Sequence, residues 1–250
     1  MICRSKEDIE GMRLAGKITG QALNYAKSLI KPNISTLELD KKLEKFIIEK
    51  GAIPSFLNYD GFPATACISV NDCVVHGIPS ESVILKEGDI VSVDIGAKIN
   101  GYNGDAARTF AVGNISAEKA RLIKITEECF FKGIEKLAVG KKIGELSNAI
   151  QEYAEGNGYS VVRELIGHGI GKEVHEAPDV PNYGSKTFGV RVKDGMCIAI
   201  EPMICMGQRY IYQSEDGWGI YTQDGKPSAH YENTVIVTSD GVEITTLVEE

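Results

Sequence analysis

Asp94 and Glu201 each close a short apolar run, Ile90-Val91-Ser92-Val93-Asp94 and Cys197-Ile198-Ala199-Ile200-Glu201. A carboxylate at the end of a buried strand costs on the order of several kcal/mol unless something compensates it. Strand alternation puts Asp94 on the side of Ser92 and Glu201 on the side of Ala199, small neighbours that leave room for a ligand. Taken singly, each has an ordinary explanation as a strand-end residue paired with Lys or Arg. Each also has a companion. The Gly/Asn-rich stretch from Gly96 to Gly104 reads as a hairpin connection, after which Asp105 begins a returning strand, so Asp94 and Asp105 face each other across a hairpin. Glu201 is followed by a longer excursion containing the only tryptophan, Trp218, before Glu232 opens the run Thr234-Val235-Ile236-Val237.

Four carboxylates at one place repel: a like-charged pair at about 4 Å costs roughly 4 kcal/mol at an effective dielectric of about 20. Two divalent cations would balance them. Protonation of one or two, as in acid proteases, is the alternative. A further ligand is expected from Gly167-His168-Gly169-Ile170-Gly171, which leads into Val174-His175-Glu176-Ala177-Pro178. Three glycines in five residues exclude a regular helix, and with it a helical His pair of the zincin kind; they predict a loop whose backbone can approach a substrate. His76, in Val75-His76-Gly77-Ile78-Pro79, is similarly punctuated. One such loop histidine is as often structural as functional, but three of the four in the chain share this setting.

Apolar spacing predicts a helix from Glu7 to Leu29, closed by Pro32 and Asn33, and a second from a Ser35-Thr36 cap to Gly51. Short β-branched runs over Ile68–Val75, Asp89–Ile95 and Arg108–Val112 read as strands. The order then recurs, with a helix from Ala117 to Leu137, another from Glu145 to Ala154, and strands. At one offset of 107, Glu38-Leu39 meets Glu145-Leu146, Leu43 meets Ile150, Gly51 meets Gly158, and Lys86-Glu87-Gly88 meets Lys193-Asp194-Gly195. The matches suggest an internal duplication, about 7–115 and 116–250, within a single domain spanning 1–250. One α/β unit used twice favours a pseudo-twofold α+β domain over a solenoid, with helices covering one face of a curved antiparallel sheet and the chemistry on the other, where the halves meet.

With 250 residues, 43% hydrophobic and 25% charged, the chain is long enough for a large core. No stretch reaches the roughly 18 apolar residues of a membrane span, and the N-terminus turns charged at once, so a cytoplasmic protein is expected. The six cysteines form no C-x-x-C pair, which disfavours disulfide frameworks and thiolate zinc sites. A net charge of −8 argues against nucleic acid as the main partner.

Cys67-Ile68-Ser69-Val70-Asn71 with His76-Gly77-Ile78-Pro79, Asp94 and Asp105 eleven residues apart, the Gly167–Pro178 segment, and Glu201-Pro202 followed by Glu232 resemble, in order and over nearly the whole chain, the type I methionine aminopeptidases in their short bacterial form. That resemblance implies a pita-bread fold and a metal-dependent hydrolase that removes the initiator methionine of newly made polypeptides with a small second residue. It implies two divalent ions (Mn, Fe, Co or Zn), with Asp105 and Glu232 bridging, His168 and Glu201 completing one and Asp94 the other. Glu201 would accept a proton from the attacking water, His175 would hydrogen-bond the substrate carbonyl, and His76 would contact the scissile nitrogen. Tyr59, Phe62, Cys67 and Trp218, with His76 at the rim and His175 on the carbonyl, would bind the methionyl residue. Peptide and nascent-chain N-termini are the implied partners, with room for a transient ribosome contact, and a monomer is expected.

The sequence departs from the family pattern at Asp60, where His is common, Val174, where an aromatic is usual, His230, in place of Gln, and Asn233, in place of His. Val174 is expected to widen the pocket. A proline-specific relative (X-Pro aminopeptidase or prolidase) and a non-catalytic module of the same fold are the rivals. The first normally carries an additional N-terminal domain, and the second loses ligands that are all present here.

Overall fold

A computed structural model describes residues 1–249. The first half contains α1 (Lys6–Leu29), α2 (Thr36–Glu49), β1 (Ile53–Pro54), β2 (Ala66–Val70), β3 (Cys73–Val75), β4 (Ile90–Ile99) and β5 (Tyr102–Ala111). The second contains α3 (Ala117–Ile134), α4 (Ile143–Gly156), β6 (Ser160–Val161), β7 (Gly167–Gly169), β8 (Glu176–Val180), β9 (Met196–Ile200), β10 (Met203–Cys205), β11 (Ile211–Gln213), β12 (Ile220–Thr222), β13 (Ser228–His230), β14 (Asn233–Thr238) and β15 (Gly241–Ile244). Ser5 caps α1 in a reciprocal capping box with Asp8, and the Ser35 hydroxyl accepts from the Glu38 amide to start α2. The bounds of α2 and α4 differ by 107 at both ends, and Leu39, Leu43 and Ile47 are buried in one as Leu146, Ile150 and Ala154 are in the other.

The described strands pair antiparallel. They fall into four hydrogen-bonded sets, where one curved sheet was expected; the larger two are β4 with β1, β2 and β5, and the order β15-β14-β9-β7-β8. These two are stitched where the halves meet. Ala107 and Glu232 exchange both backbone hydrogen bonds (3.3 and 2.9 Å), while the Thr234 hydroxyl accepts from the Asp105 amide and donates to the Asp105 carbonyl.

Alternation then decides which face does what. Val91, Val93 and Ile95 of β4 pack under Leu23, Leu39, Leu43 and Ile47, whereas Ile198, Ile200, Val235 and Val237 pack under Leu122, Phe130, Leu146 and Ile150. Each such fully buried aliphatic side chain contributes about 1.5–3 kcal/mol. The intervening residues, Ser92 and Asp94 on β4, Asp105 and Ala107 on β5, and Thr234 on β14, face away from the helices.

The β4–β5 hairpin differs from its expected form. Both strands run ten residues, and the turn is only Asn100-Gly101, both at positive φ (51° and 78°). Gly104 lies inside β5 because α1 crosses it closely: a Cβ there would meet the Gly16 nitrogen at 2.7 Å.

Candidate active site

In the hairpin register Asp94 stands opposite Ala107, and Gly96 opposite Asp105. Asp94 and Asp105 are thus diagonal neighbours on one face instead of directly opposed. In the second half Ile200 pairs with Asn233, and continuing that register by one residue brings Glu201 opposite Glu232. Because β5 is stitched to β14 at Ala107 and Glu232, both pairs arrive at the same place. Among the described residues, no Lys or Arg side chain forms an ion pair with any of the four, so the ordinary strand-end explanation does not hold. Asp94 Oδ1, Asp105 Oδ1 and Glu232 Oε1 are buried without a hydrogen-bond partner.

His168 sits in β7, a three-residue strand between β8 and β9 where a loop was expected. Its glycine neighbours serve that packing: a Cβ on Gly167 would meet the Ala199 carbonyl oxygen at 2.4 Å, and one on Gly169 the Ala177 carbonyl oxygen at 2.2 Å. His168 Nδ1 lies 2.9 Å from the Gly169 carbonyl oxygen and donates to it. This leaves Nε2 as a bare lone pair 3.8 Å from Asp105 and 3.7 Å from Glu201. Candidate ligand atoms of Asp105, His168 and Glu232 all lie within 4.8 Å of one another, close enough to hold one metal ion.

Burial dominates the electrostatics. It pushes Asp94 up to about 7, and it raises Asp105, Glu201 and Glu232 well above the usual carboxylate range, with neighbouring carboxylates adding to the effect. The same desolvation lowers His168 to about 4 and also lowers His76 and His175. Such a cluster cannot be fully ionised without added positive charge.

Asp94, Asp105, His168, Glu201 and Glu232 line a cavity of about 310 Å³ together with His76, His175, Tyr59, Phe62, Cys67 and Trp218, so all the site residues expected from the sequence come together. Its apolar end is built on Phe56, Phe62, Ala64, Cys67 and Val174, and Trp218 meets Phe62 edge-on at 5.1 Å. His175 stacks edge-on against His168, with centroids 4.2 Å apart.

Phe56, Val75, Leu165, Ile166 and Met203 also line the cavity, but they lie in apolar runs indistinguishable from core in the sequence. His230 is buried with both ring nitrogens unpartnered, its Nε2 3.8 Å from Glu201 and 4.0 Å from Glu232, and burial lowers its pKa to about 3. Asn233 Oδ1 accepts from the Arg108 guanidinium at 2.6 Å and from Thr246. Asp60, on the cavity wall, adopts a left-handed conformation (φ 49°).

Such a fold and site define a metal-dependent hydrolase, and the chain belongs to metallopeptidase family M24, whose family model matches residues 10–239. Within that family its similarity is to methionine aminopeptidases. It is 53% identical to the methionine aminopeptidase of Clostridium perfringens over the full length of both chains. The crystal structure of methionine aminopeptidase from Rickettsia prowazekii matches with a TM-score of 0.96 at 42% identity, covering 99% of this chain and 100% of that one. The prolidase from Pyrococcus furiosus matches less well, with a TM-score of 0.81 at 26% identity, and only 66% of its length is covered. The pita-bread arrangement expected from the sequence is the fold of these structures.

Proposed function

We propose that the protein removes methionine from the N-termini of newly made polypeptides, using a site built from both halves of the chain. The observation that carries this reading is the convergence beside an apolar socket of four carboxylates, three of them with a buried oxygen that has no hydrogen-bond partner, and one bare imidazole nitrogen. The orphaned buried oxygens of Asp94, Asp105 and Glu232 fit divalent cations, which these three residues would hold together with His168 and Glu201. When bound, the cations supply Lewis acidity towards the scissile carbonyl and make water nucleophilic at neutral pH.

The chain's own groups do the rest. Glu201 takes the proton of the attacking water, His175 donates a hydrogen bond to the substrate carbonyl, and His76 contacts the scissile nitrogen. Phe62, Cys67, Tyr59 and Trp218 enclose the methionine side chain and exclude water. The free α-amino group docks at the Asp94 end, which confines cleavage to the first residue. In this reading the enzyme acts in the cytoplasm on peptide and nascent-chain N-termini, as one domain made of two copies of an ancestral unit, about 7–115 and 116–250. No helix among the described residues is long and apolar enough to cross a membrane.

The test is metal analysis coupled to cleavage of Met-Gly-x and x-Pro peptides. Chelator-sensitive release of methionine from Met-Gly-x, with two cations per chain, is expected. Turnover unaffected by chelation, or cleavage of x-Pro peptides alone, would overturn it.

A further inference from the structure

The Tyr59 hydroxyl lies 2.9 Å from Nδ1 of His175, and the two rings tilt against each other with centroids 5.2 Å apart. A residue that only walled an apolar socket would leave its hydroxyl to solvent; this one is committed to an imidazole. The surrounding turn holds it there. Asn58, Asp60 and Gly61 all adopt positive φ (65°, 49° and 88°), and backbone bonds from Tyr59 to Phe56, Asn58 to Phe62 and Phe62 to Tyr59 close the turn.

The direction of the hydrogen bond follows from what each group would otherwise lose. Burial, with Asp60 and Glu173 adding to it, raises the Tyr59 pKa, so the phenol keeps its proton. If Nδ1–H pointed at the phenol oxygen, the bare Nε2 lone pair would be left for a cavity lined by carboxylates, with no N–H to offer a substrate carbonyl. With O–H donating to Nδ1, the proton of a neutral ring resides on Nε2, the nitrogen left for the cavity.

We propose that Tyr59 is a positioning residue that fixes the His175 ring in the tautomer protonated on Nε2, so that its N–H is ready for the substrate carbonyl. This rests on His175 being the donor to that carbonyl. The test compares wild type, Tyr59→Phe, His175→Ala and the double variant as zinc-loaded proteins, with ring-nitrogen NMR of His175 beside kcat and KM on Met-Gly-x peptides. In the wild type Nε2 should be protonated and Nδ1 an acceptor. Tyr59→Phe should shift the Nδ1 resonance and lower kcat about tenfold with KM changed far less. His175→Ala should lower kcat by on the order of 10²-fold, with no further loss on adding Tyr59→Phe. A wild-type ring protonated on Nδ1, or a Tyr59→Phe variant with unchanged ring signals and a change in KM alone, would overturn the positioning role. Full turnover by His175→Ala would instead overturn the donor role itself.

Discussion

Replacing Asp105 with Asn keeps the side chain's shape and removes one charge from the acidic cluster, so it separates the cost of the site from its use. Ligand atoms of Asp105 and Glu232 lie within 4.8 Å, and two unit charges at that distance repel by about 3–4 kcal/mol at an effective dielectric of about 20. Burial of Asp94 gives a similar scale: raising its pKa from 3.8 to about 7 corresponds to about 4 kcal/mol. Metal-free Asp105→Asn should therefore melt higher than metal-free wild type at pH 8, by roughly 10 °C for a chain of this size. Divalent cation should reverse the order. Wild type should gain about 4 kcal/mol at a thousandfold excess over Kd, and the variant should gain little and show no turnover. Melting curves with chelator and with added Mn²⁺ or Co²⁺ give all four values. If the variant melts below wild type without metal, or keeps the full cation-induced rise, the acidic cluster is not what the cations relieve.

The same carboxylates set a pH dependence. Their folded pKa values lie above the unfolded ones, so their contribution favours the fold below about pH 4 and is lost as pH rises through about 7, the value for Asp94. Metal-free protein should accordingly lose melting temperature from pH 5 to 8 while the metal-loaded protein does not, and parallel slopes would contradict this. Trp218→Ala removes the edge-on partner of Phe62 and should lower kcat/KM for methionyl peptides by about 10–100-fold, or roughly 1.5–3 kcal/mol; an unchanged value would take Trp218 out of the socket. Arg108 donates to the carbonyls of Ala107 and Glu232 and to Asn233 Oδ1, and lies 4.0 Å over the Tyr231 ring. Arg108→Met should cost on the order of 2–4 kcal/mol in urea unfolding by removing these charge-assisted hydrogen bonds and the contact with the Tyr231 ring, and an unshifted midpoint would show that the seam does not depend on it.

The site was legible in the sequence wherever a polar residue interrupted a periodic pattern. Asp94 and Glu201 stood out because each ends a run of residues that belong indoors, and their companions followed from the order of strands. Ser35 marked the start of α2 for a local reason, its hydroxyl accepting from Glu38. Glycines misled where they serve packing. Gly96 and Gly104 read as turn punctuation, yet both lie inside strands, and Asn100-Gly101 alone makes the turn. Gly167 and Gly169 suggested an open loop, whereas they let β7 lie between two strands that leave no room for a Cβ. The bonds of Arg108 to Glu232 and Asn233, and of Thr234 to Asp105, could not be read at all, because each spans more than 120 positions of chain.

That separation bears on the order in which the protein matures. Pairing of Ala107 with Glu232 closes a loop of more than a hundred residues, the kind of contact that forms late because chain entropy opposes it. Helices and hairpins can condense early on their own, but catalysis must wait for this closure. A partly synthesised copy that has not yet reached Glu232 lacks both that carboxylate and the seam and would be inert, so competence to trim other chains comes as a single late event.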